Sequence, residues 1–257
     1  MSSQSVVFIG AGNVATHLAK GFYQAGVDIL QIINRHFDKA KNLADQVDAQ
    51  PADDLNSLMK DADVYVVAVQ DDAVQNIVKD LSLPRGTLVH TSGTVPLSQL
   101  SNAAPESGVF YPLQTFRADQ ELDLTQAPIC LEASSSETYQ QLKALASTIS
   151  NQIHPVDSEQ RKTIHIAAVF LNNFTNHMLA CAEELLSKHN MDFDLLRPLL
   201  EETWQKVRHH KPSDVQTGPA MRNDRQVITE HLDRLKNEPE LQAVYRVLTE
   251  SIQRKYS

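Results

Sequence analysis

Val6-Val7-Phe8-Ile9-Gly10-Ala11-Gly12-Asn13-Val14-Ala15 is an apolar run that breaks into a Gly-x-Gly-x-x-Ala turn and continues as His17-Leu18-Ala19-Lys20. A β-branched strand, a glycine turn and a helix start in direct succession are what a pyrophosphate site needs. Gly10 allows the tight turn, Gly12 lets the backbone approach phosphate without a Cβ in the way, and Ala15 is small enough for close packing of helix on strand. The helix N-terminus adds unpaired N–H groups and a partial positive charge. A bare glycine turn is weak evidence, but its context strengthens it: the turn follows a strand-like run, and Asp28-Ile29-Leu30-Gln31-Ile32-Ile33-Asn34 resumes as a strand after Gly26. The stretch is read as dinucleotide-binding.

Working along the chain, strand-like and helix-like segments alternate. Asp63-Val64-Tyr65-Val66-Val67-Ala68-Val69 is continuously apolar, as a parallel strand buried on both faces would be. Thr87-Leu88-Val89-His90, Gly108-Val109-Phe110-Tyr111 and Pro128-Ile129-Cys130-Leu131 supply further strands. The expected architecture is α/β: an N-terminal doubly wound parallel sheet over residues 1–151, followed by an all-helical domain over 152–257. In the second part, Asp157-Ser158-Glu159-Gln160 reads as a capping box opening a helix that runs to about Lys188. Ile164, Ala168, Leu171, Thr175, Met178, Ala182 and Leu185 form one mostly apolar stripe along it, a candidate homodimer surface. Further helices are expected over 193–208, 219–236 and 239–254.

Composition bounds the function. An apolar share of 42% with 21% charged residues is ordinary for a globular protein, and the net charge of -9 argues against a nucleic-acid or anionic-membrane surface. No run approaches the length of a membrane span, and no leader pattern opens the chain, so a cytoplasmic location is expected. Cys130 and Cys181 are the only cysteines. They stand in no metal-binding spacing and are read as core fillers; with ten scattered histidines, no metal site is suggested.

The chemistry is expected at the carboxyl ends of the strands. The second strand ends in Asn34-Arg35, where an NAD site commonly carries an acid. Arg35 would pair with a 2′-phosphate, with Lys39 as an aid, which favours NADP; the alternative is a solvated loop charge. Ala68, Val69 and Gln70 leave the buried strand where the nicotinamide half of the cofactor would pass, and Asp72 suits a helix N-cap. Ser92, in Thr91-Ser92-Gly93-Thr94, offers a hydroxyl at the same edge. On the long helix, His165, Asn172 and Asn176 fall along one face, with Asn173 about 80° away by the 3.6-residue period. A histidine passes protons near neutral pH and an amide orients a carbonyl or imine, so this polar stripe suits hydride transfer; alternatively these side chains bond neighbouring helices. In Thr217-Gly218-Pro219-Ala220-Met221-Arg222-Asn223-Asp224, Thr217 or Gly218 is expected to cap a helix. Arg222 would meet an anionic group there, or pair with Asp224.

These stretches resemble a known family. The N-terminal half is similar to the Rossmann domains of the 6-phosphogluconate dehydrogenase-like superfamily, which includes pyrroline-5-carboxylate reductase, prephenate dehydrogenase and the F420-dependent NADP reductase. The whole chain most resembles proteins in which a Rossmann-like domain precedes a DUF2520 helical domain. The likeness is carried by the Gly10 turn, His90-Thr91-Ser92-Gly93, Tyr111-Pro112-Leu113-Gln114-Thr115-Phe116, His165-Ile166-Ala167-Ala168-Val169-Phe170 with Asn173, and Thr217-Gly218-Pro219 with Arg222 and Asp224. It implies NADP bound at Gly10, Gly12, Asn13, Val14, Asn34 and Arg35, and a cleft between the domains. Related dehydrogenases use a Lys and an Asn on the first helix after the sheet; this chain has His165 at the Lys place, and Tyr111 where many relatives have His before the proline.

The resulting expectation is an NADP-dependent oxidoreductase moving hydride to or from a small carbonyl, imine or hydroxy acid in that cleft. His165 would be the acid/base and Asn172 or Asn173 would orient the reacting group. Tyr111, Gln114, Thr115 and Arg222 would shape the substrate site, with Asn176 further along the same helix. The rival expectation is an NADP-binding sensor or scaffold without turnover; a third is exchange with a deazaflavin.

Overall fold

The computed structural model describes residues 4–117, 120 and 122–256. Eight strands form one sheet in the order β3-β2-β1-β4-β5-β6-β7-β8. The strands are β1 (Ser5–Ile9), β2 (Asp28–Ile33), β3 (Gln50–Ala52), β4 (Val64–Val67), β5 (Thr87–His90), β6 (Glu106–Pro112), β7 (Ile129–Ala133) and β8 (Ile153–Pro155). Strands β1 to β6 pair in parallel, as the continuous apolar runs foretold. Strand β7 is antiparallel to β6, with Phe110 opposite Leu131, and β8 runs parallel to β7. The reversal departs from an all-parallel expectation. A parallel neighbour needs a crossover, usually a helix, and no helix stands between β6 and β7 among the described residues.

Alternation along the strands sends side chains to two buried layers. Val6, Phe8, Val64, Val66 and Val89 pack with Leu18 and Phe22 of α1 (Asn13–Gln24), Leu43 of α2 (Phe37–Ala44) and Leu142 of α4 (Ser136–Ala146). Val7, Ile9, Tyr65, Val67 and Leu88 pack with Val74 and Val78 of α3 (Asp71–Asp80) on the other side. Both faces are thereby covered, which is the doubly wound arrangement. Gln70, two residues earlier than expected, is the N-cap of α3, so Asp72 lies in its first turn.

The capping box forms as read: the Asp157 carboxylate accepts from Gln160 N at 2.8 Å and Gln160 Oε1 accepts from Asp157 N at 3.0 Å. It opens α5 (Ser158–Ala168), a six-residue π-helical stretch (Val169–Phe174) and α6 (Thr175–Ser187), a helical run without a break. The chain forms two compact units, residues 1–173 and 174–257, so the first unit takes in β8 and α5 in addition to the residues up to 151.

The second unit, described by itself, contains α6, α7 (Arg197–His209), α8 (Arg225–Arg234) and α9 (Pro239–Tyr256). Helices α8 and α9 are joined by His231 Nδ1 and the Tyr245 hydroxyl at 2.8 Å, and by Gln242 Nε2 donating to Leu232 O at 2.8 Å. The helix expected from Pro219 starts only at Arg225. Asn223 adopts a left-handed φ of 52°, which breaks the helical path, and Asp224 becomes the cap by accepting from Val227 N. No described helix is long and apolar enough to cross a membrane.

Candidate active site

The nucleotide end is built where β1 turns into α1. Gly10 takes φ +119°, and its N–H donates to Ile33 O at 2.7 Å. Gly12 is the N-cap of α1 with extended backbone and no side-chain cap, and the first turn carries no acid. A Cβ placed on Gly12 would meet nothing within 4 Å. The helix N-terminus therefore presents its N–H groups to an open approach, which fits a diphosphate group. Ala15 is fully buried, in the tight packing its size permits. The Asn13 amide Nδ2 donates to Phe116 O at 2.9 Å, and His17 Nε2 lies 2.8 Å from Arg117 O. The segment after β6 is thus tied to the first turns of α1. Val14 is half-buried against the core.

Beyond β2, Asn34 Oδ1 accepts from His36 N at 3.0 Å, a local turn that leaves Arg35 and Lys39 exposed. Two cations and the start of α2, which has no side-chain cap, thus lie together just beyond β2, an arrangement that can hold an anionic group. At the end of β4, Ala68 is buried with its N–H on Ile9 O at 2.8 Å, Val69 is half-buried and Gln70 is exposed.

A second cluster of polar side chains lies on β5, β6 and α5. The Tyr111 hydroxyl stands 3.0 Å from His165 Nδ1, the two rings edge to face with centroids 6.1 Å apart. Gly93 lies directly under the imidazole: a Cβ there would fall 2.6 Å from His165 Nδ1 and 2.8 Å from its Cγ. The Ser92 hydroxyl is taken up by the loop itself, accepting from Thr94 N and Val95 N at 3.0 Å each. The Thr94 hydroxyl bonds the Asp71 carboxylate, linking the ends of β4 and β5. Burial holds the Tyr111 phenol above its ordinary range, so it stays protonated.

Two residues that support this end were given no role by the sequence. His90 is fully buried, and its Nδ1 accepts from Ser92 N at 3.1 Å. Burial first, and then the Arg161 charge, push its pKa down to about 3, so the ring is neutral. Arg161, also fully buried, pairs with Glu132 and donates to Val95 O at 2.5 Å. It precedes His165 by one helical turn, a spacing visible in the sequence, but nothing local marks it as buried.

The asparagines need a correction of phase. A π turn takes about one residue more than an α turn, so residues along it lag by up to about 100°. Asn173, expected off the His165 line, is brought toward it, and Asn172 is carried away. Both are exposed, as are Gln114 and Thr115; the Gln114 side chain accepts from Thr115 N at 2.8 Å. Asn176 and Arg222 belong to the second unit, where both are exposed, and Arg222 makes no ion pair with Asp224 among the described residues.

Comparison with known proteins bears on the family and the cofactor. Residues 5–92 match the family of NADP oxidoreductases described as coenzyme F420-dependent, and residues 127–252 match the domain of unknown function DUF2520. A Bacteroides fragilis protein described provisionally as an NADP oxidoreductase is 43% identical, with 98% of each chain covered and a TM-score of 0.89. A reductive aminase of Aspergillus terreus, solved with NADPH and ethyl-5-oxohexanoate, shares the fold at 16% identity and a TM-score of 0.72, over 99% of this chain and 95% of that one. Among curated proteins, the glutamyl-tRNA reductase of Geobacillus kaustophilus is 34% identical over 68 residues, 26% of this chain, so the match spans only 15% of that relative's length. The chain belongs to the NADP oxidoreductase family in which a Rossmann domain is followed by a DUF2520 domain.

Proposed function

We propose that the protein reduces a small carbonyl or imine compound with NADPH, or oxidises the corresponding alcohol or amine with NADP. The observation that carries this reading is the Tyr111–His165 pair, a hydrogen-bonded phenol and imidazole at the edge of the sheet where the nicotinamide half of a dinucleotide would end. When bound, NADPH supplies a hydride to the substrate carbon. His165 serves the oxygen or nitrogen, which gains a proton drawn ultimately from solvent. Asn173 orients the reacting group, and Tyr111 and Thr115 border the substrate. The backbone at Gly10 and Gly12 holds the diphosphate, and Arg35 with Lys39 holds the 2′-phosphate. The keto ester bound by the fungal reductive aminase supports the substrate class.

The test is a titration with NADPH and with NADH, followed by nicotinamide fluorescence, for the wild type and Arg35→Asp. Tight NADPH binding that is lost or reversed toward NADH in the variant is expected, with NADPH consumption on a panel of ketones, aldehydes and cyclic imines. Binding without turnover on any of them, and a His165→Ala variant that behaves as wild type in the cell, would point to a sensor instead.

We further propose that a second copy of the chain covers the helical unit. Leu195 is 66% exposed, Leu199 63% and Trp204 56%, whereas Ala220, Ile228 and Leu235 are the only apolar side chains buried among its described residues. So small a core leaves a helical unit marginal on its own. Sedimentation should give a dimer for the wild type and a monomer for Leu195→Glu or Leu199→Glu.

A further inference from the structure

We infer that Tyr111 is a positioning residue that holds the proton of His165 on Nε2, so that the imidazole meets its substrate as a hydrogen-bond donor. This rests on the reading of His165 as the residue that serves the reacting group. Nδ1 of His165 is the one hydrogen-bond partner of the Tyr111 hydroxyl among the described residues. Two arrangements of that bond are open. If the phenol donates, its proton is satisfied and Nδ1 acts as acceptor. If Nδ1–H donates instead, the phenolic hydrogen is left half-buried with no acceptor, a costly state for a polar group. Burial raises the phenol's pKa, so the hydrogen stays on the oxygen in either arrangement; because a phenol is the better donor of the two groups and an imidazole nitrogen the better acceptor, the first arrangement prevails. A neutral imidazole that accepts at Nδ1 carries its hydrogen on Nε2.

Gly93 completes the device. The space a Cβ would take on Gly93 is already filled by Nδ1, Cγ and Cβ of His165, at 2.6, 2.8 and 3.1 Å. The ring therefore lies on bare backbone at its Nδ1 side, and access to that nitrogen is closed by the Gly93 chain and the Tyr111 hydroxyl. Nε2 has no acceptor among the described residues. It is the nitrogen left for a ligand. The loop is held from its other side in the same manner, since His90 Nδ1 accepts from Ser92 N.

The consequence concerns the substrate. An Nε2–H group meets an atom with a free lone pair, a carbonyl oxygen or the nitrogen of a neutral imine. It gives nothing to an iminium ion, whose nitrogen has no lone pair to offer. The preferred substrates are therefore carbonyl compounds and neutral imines, and a permanently charged iminium salt of the same shape is rejected.

The experiment uses the full chain labelled with 15N-histidine, at alkaline pH where imidazoles are neutral. Two-bond proton–nitrogen correlations report which ring nitrogen is protonated, and loss of signals in His165→Gln identifies those of His165. The wild type should show one tautomer, with hydrogen on Nε2 and a hydrogen-bonded Nδ1. Tyr111→Phe should show a mixture of tautomers, and Gly93→Ala, which displaces the ring, should lose the hydrogen-bonded Nδ1 signature. A wild-type His165 protonated on Nδ1, or a Tyr111→Phe spectrum unchanged at His165, overturns the inference. NADPH consumption is measured in parallel. A wild type with the expected tautomer and no turnover supports the positioning role and removes the reaction reading. Turnover with the opposite tautomer does the reverse.

Discussion

A Cβ built on Gly10 would lie 2.2 Å from the carbonyl oxygen of Ala68, so the ends of β1 and β4 are in backbone contact where the chain turns into α1. The obstacle is main chain and has nowhere to swing. Gly10 also sits at φ +119°, outside the range that side chains accept readily. Gly10→Ala therefore carries both backbone strain and overpacking, together about 3 kcal/mol or more. Urea unfolding should register that loss, and NADPH affinity should fall with it, because the same displacement moves the start of α1. Gly12→Ala is the control. Its Cβ would meet no protein atom within 4 Å, so the fold should keep nearly full stability while nucleotide affinity drops.

Buried His90 makes stability depend on pH. Its folded pKa is about 3 against an ordinary value of 6.5. Between those values the unfolded chain binds a proton that the folded chain does not, so stability rises with pH through the window and is complete above it. As pH falls from 6.5 toward 3, this contribution disappears, at up to about 1.4 kcal/mol per pH unit. Urea midpoints measured through this window should fall steeply for the wild type and less steeply for His90→Gln. Parallel profiles for the two proteins would mean that the imidazole titrates normally.

What could be read before folding was whatever is written locally. The glycine turn, its flanking strands and the Asp157 box each fit within a dozen residues, and each forms as read. The reversal of β7 was open to inference as well, because nothing between Pro112 and Ile129 looks like a crossover helix. The phase of Asn172 and Asn173 was not, since a single period of 3.6 was carried through a segment that winds as a π helix. Nor was the seat of His165 on Gly93, which joins residues far apart in sequence and depends on the loop after β5 meeting α5. Arg161 shows the same limit most plainly: its partner Glu132 lies on another element, and no periodicity announces a charge at the centre of a fold.

That ion pair gives the last prediction. Arg161 is fully buried, and Glu132, with 17% of its side chain exposed, is the carboxylate that balances it. Ser158 donates to the same carboxylate at 2.9 Å, and its hydroxyl also accepts from Leu97 N at 3.2 Å, so β7, α5 and the chain after β5 converge on one cluster. Glu132→Leu strands a guanidinium whose remaining bonds are to Val95 O and Ser158, and the expected cost is about 3–5 kcal/mol. Arg161→Met alone leaves a partly solvated carboxylate still bonded to Ser158, and should cost less. Combining the two substitutions removes both charges, and an apolar pair in a well-packed site is often as stable as the ions it replaces. The double variant should therefore be more stable than Glu132→Leu by itself, a coupling that urea unfolding of the four proteins measures directly. Additive losses would mean that the two charges stabilise the fold independently, through Val95 and Ser158, and that their mutual attraction contributes nothing to holding α5 on the sheet.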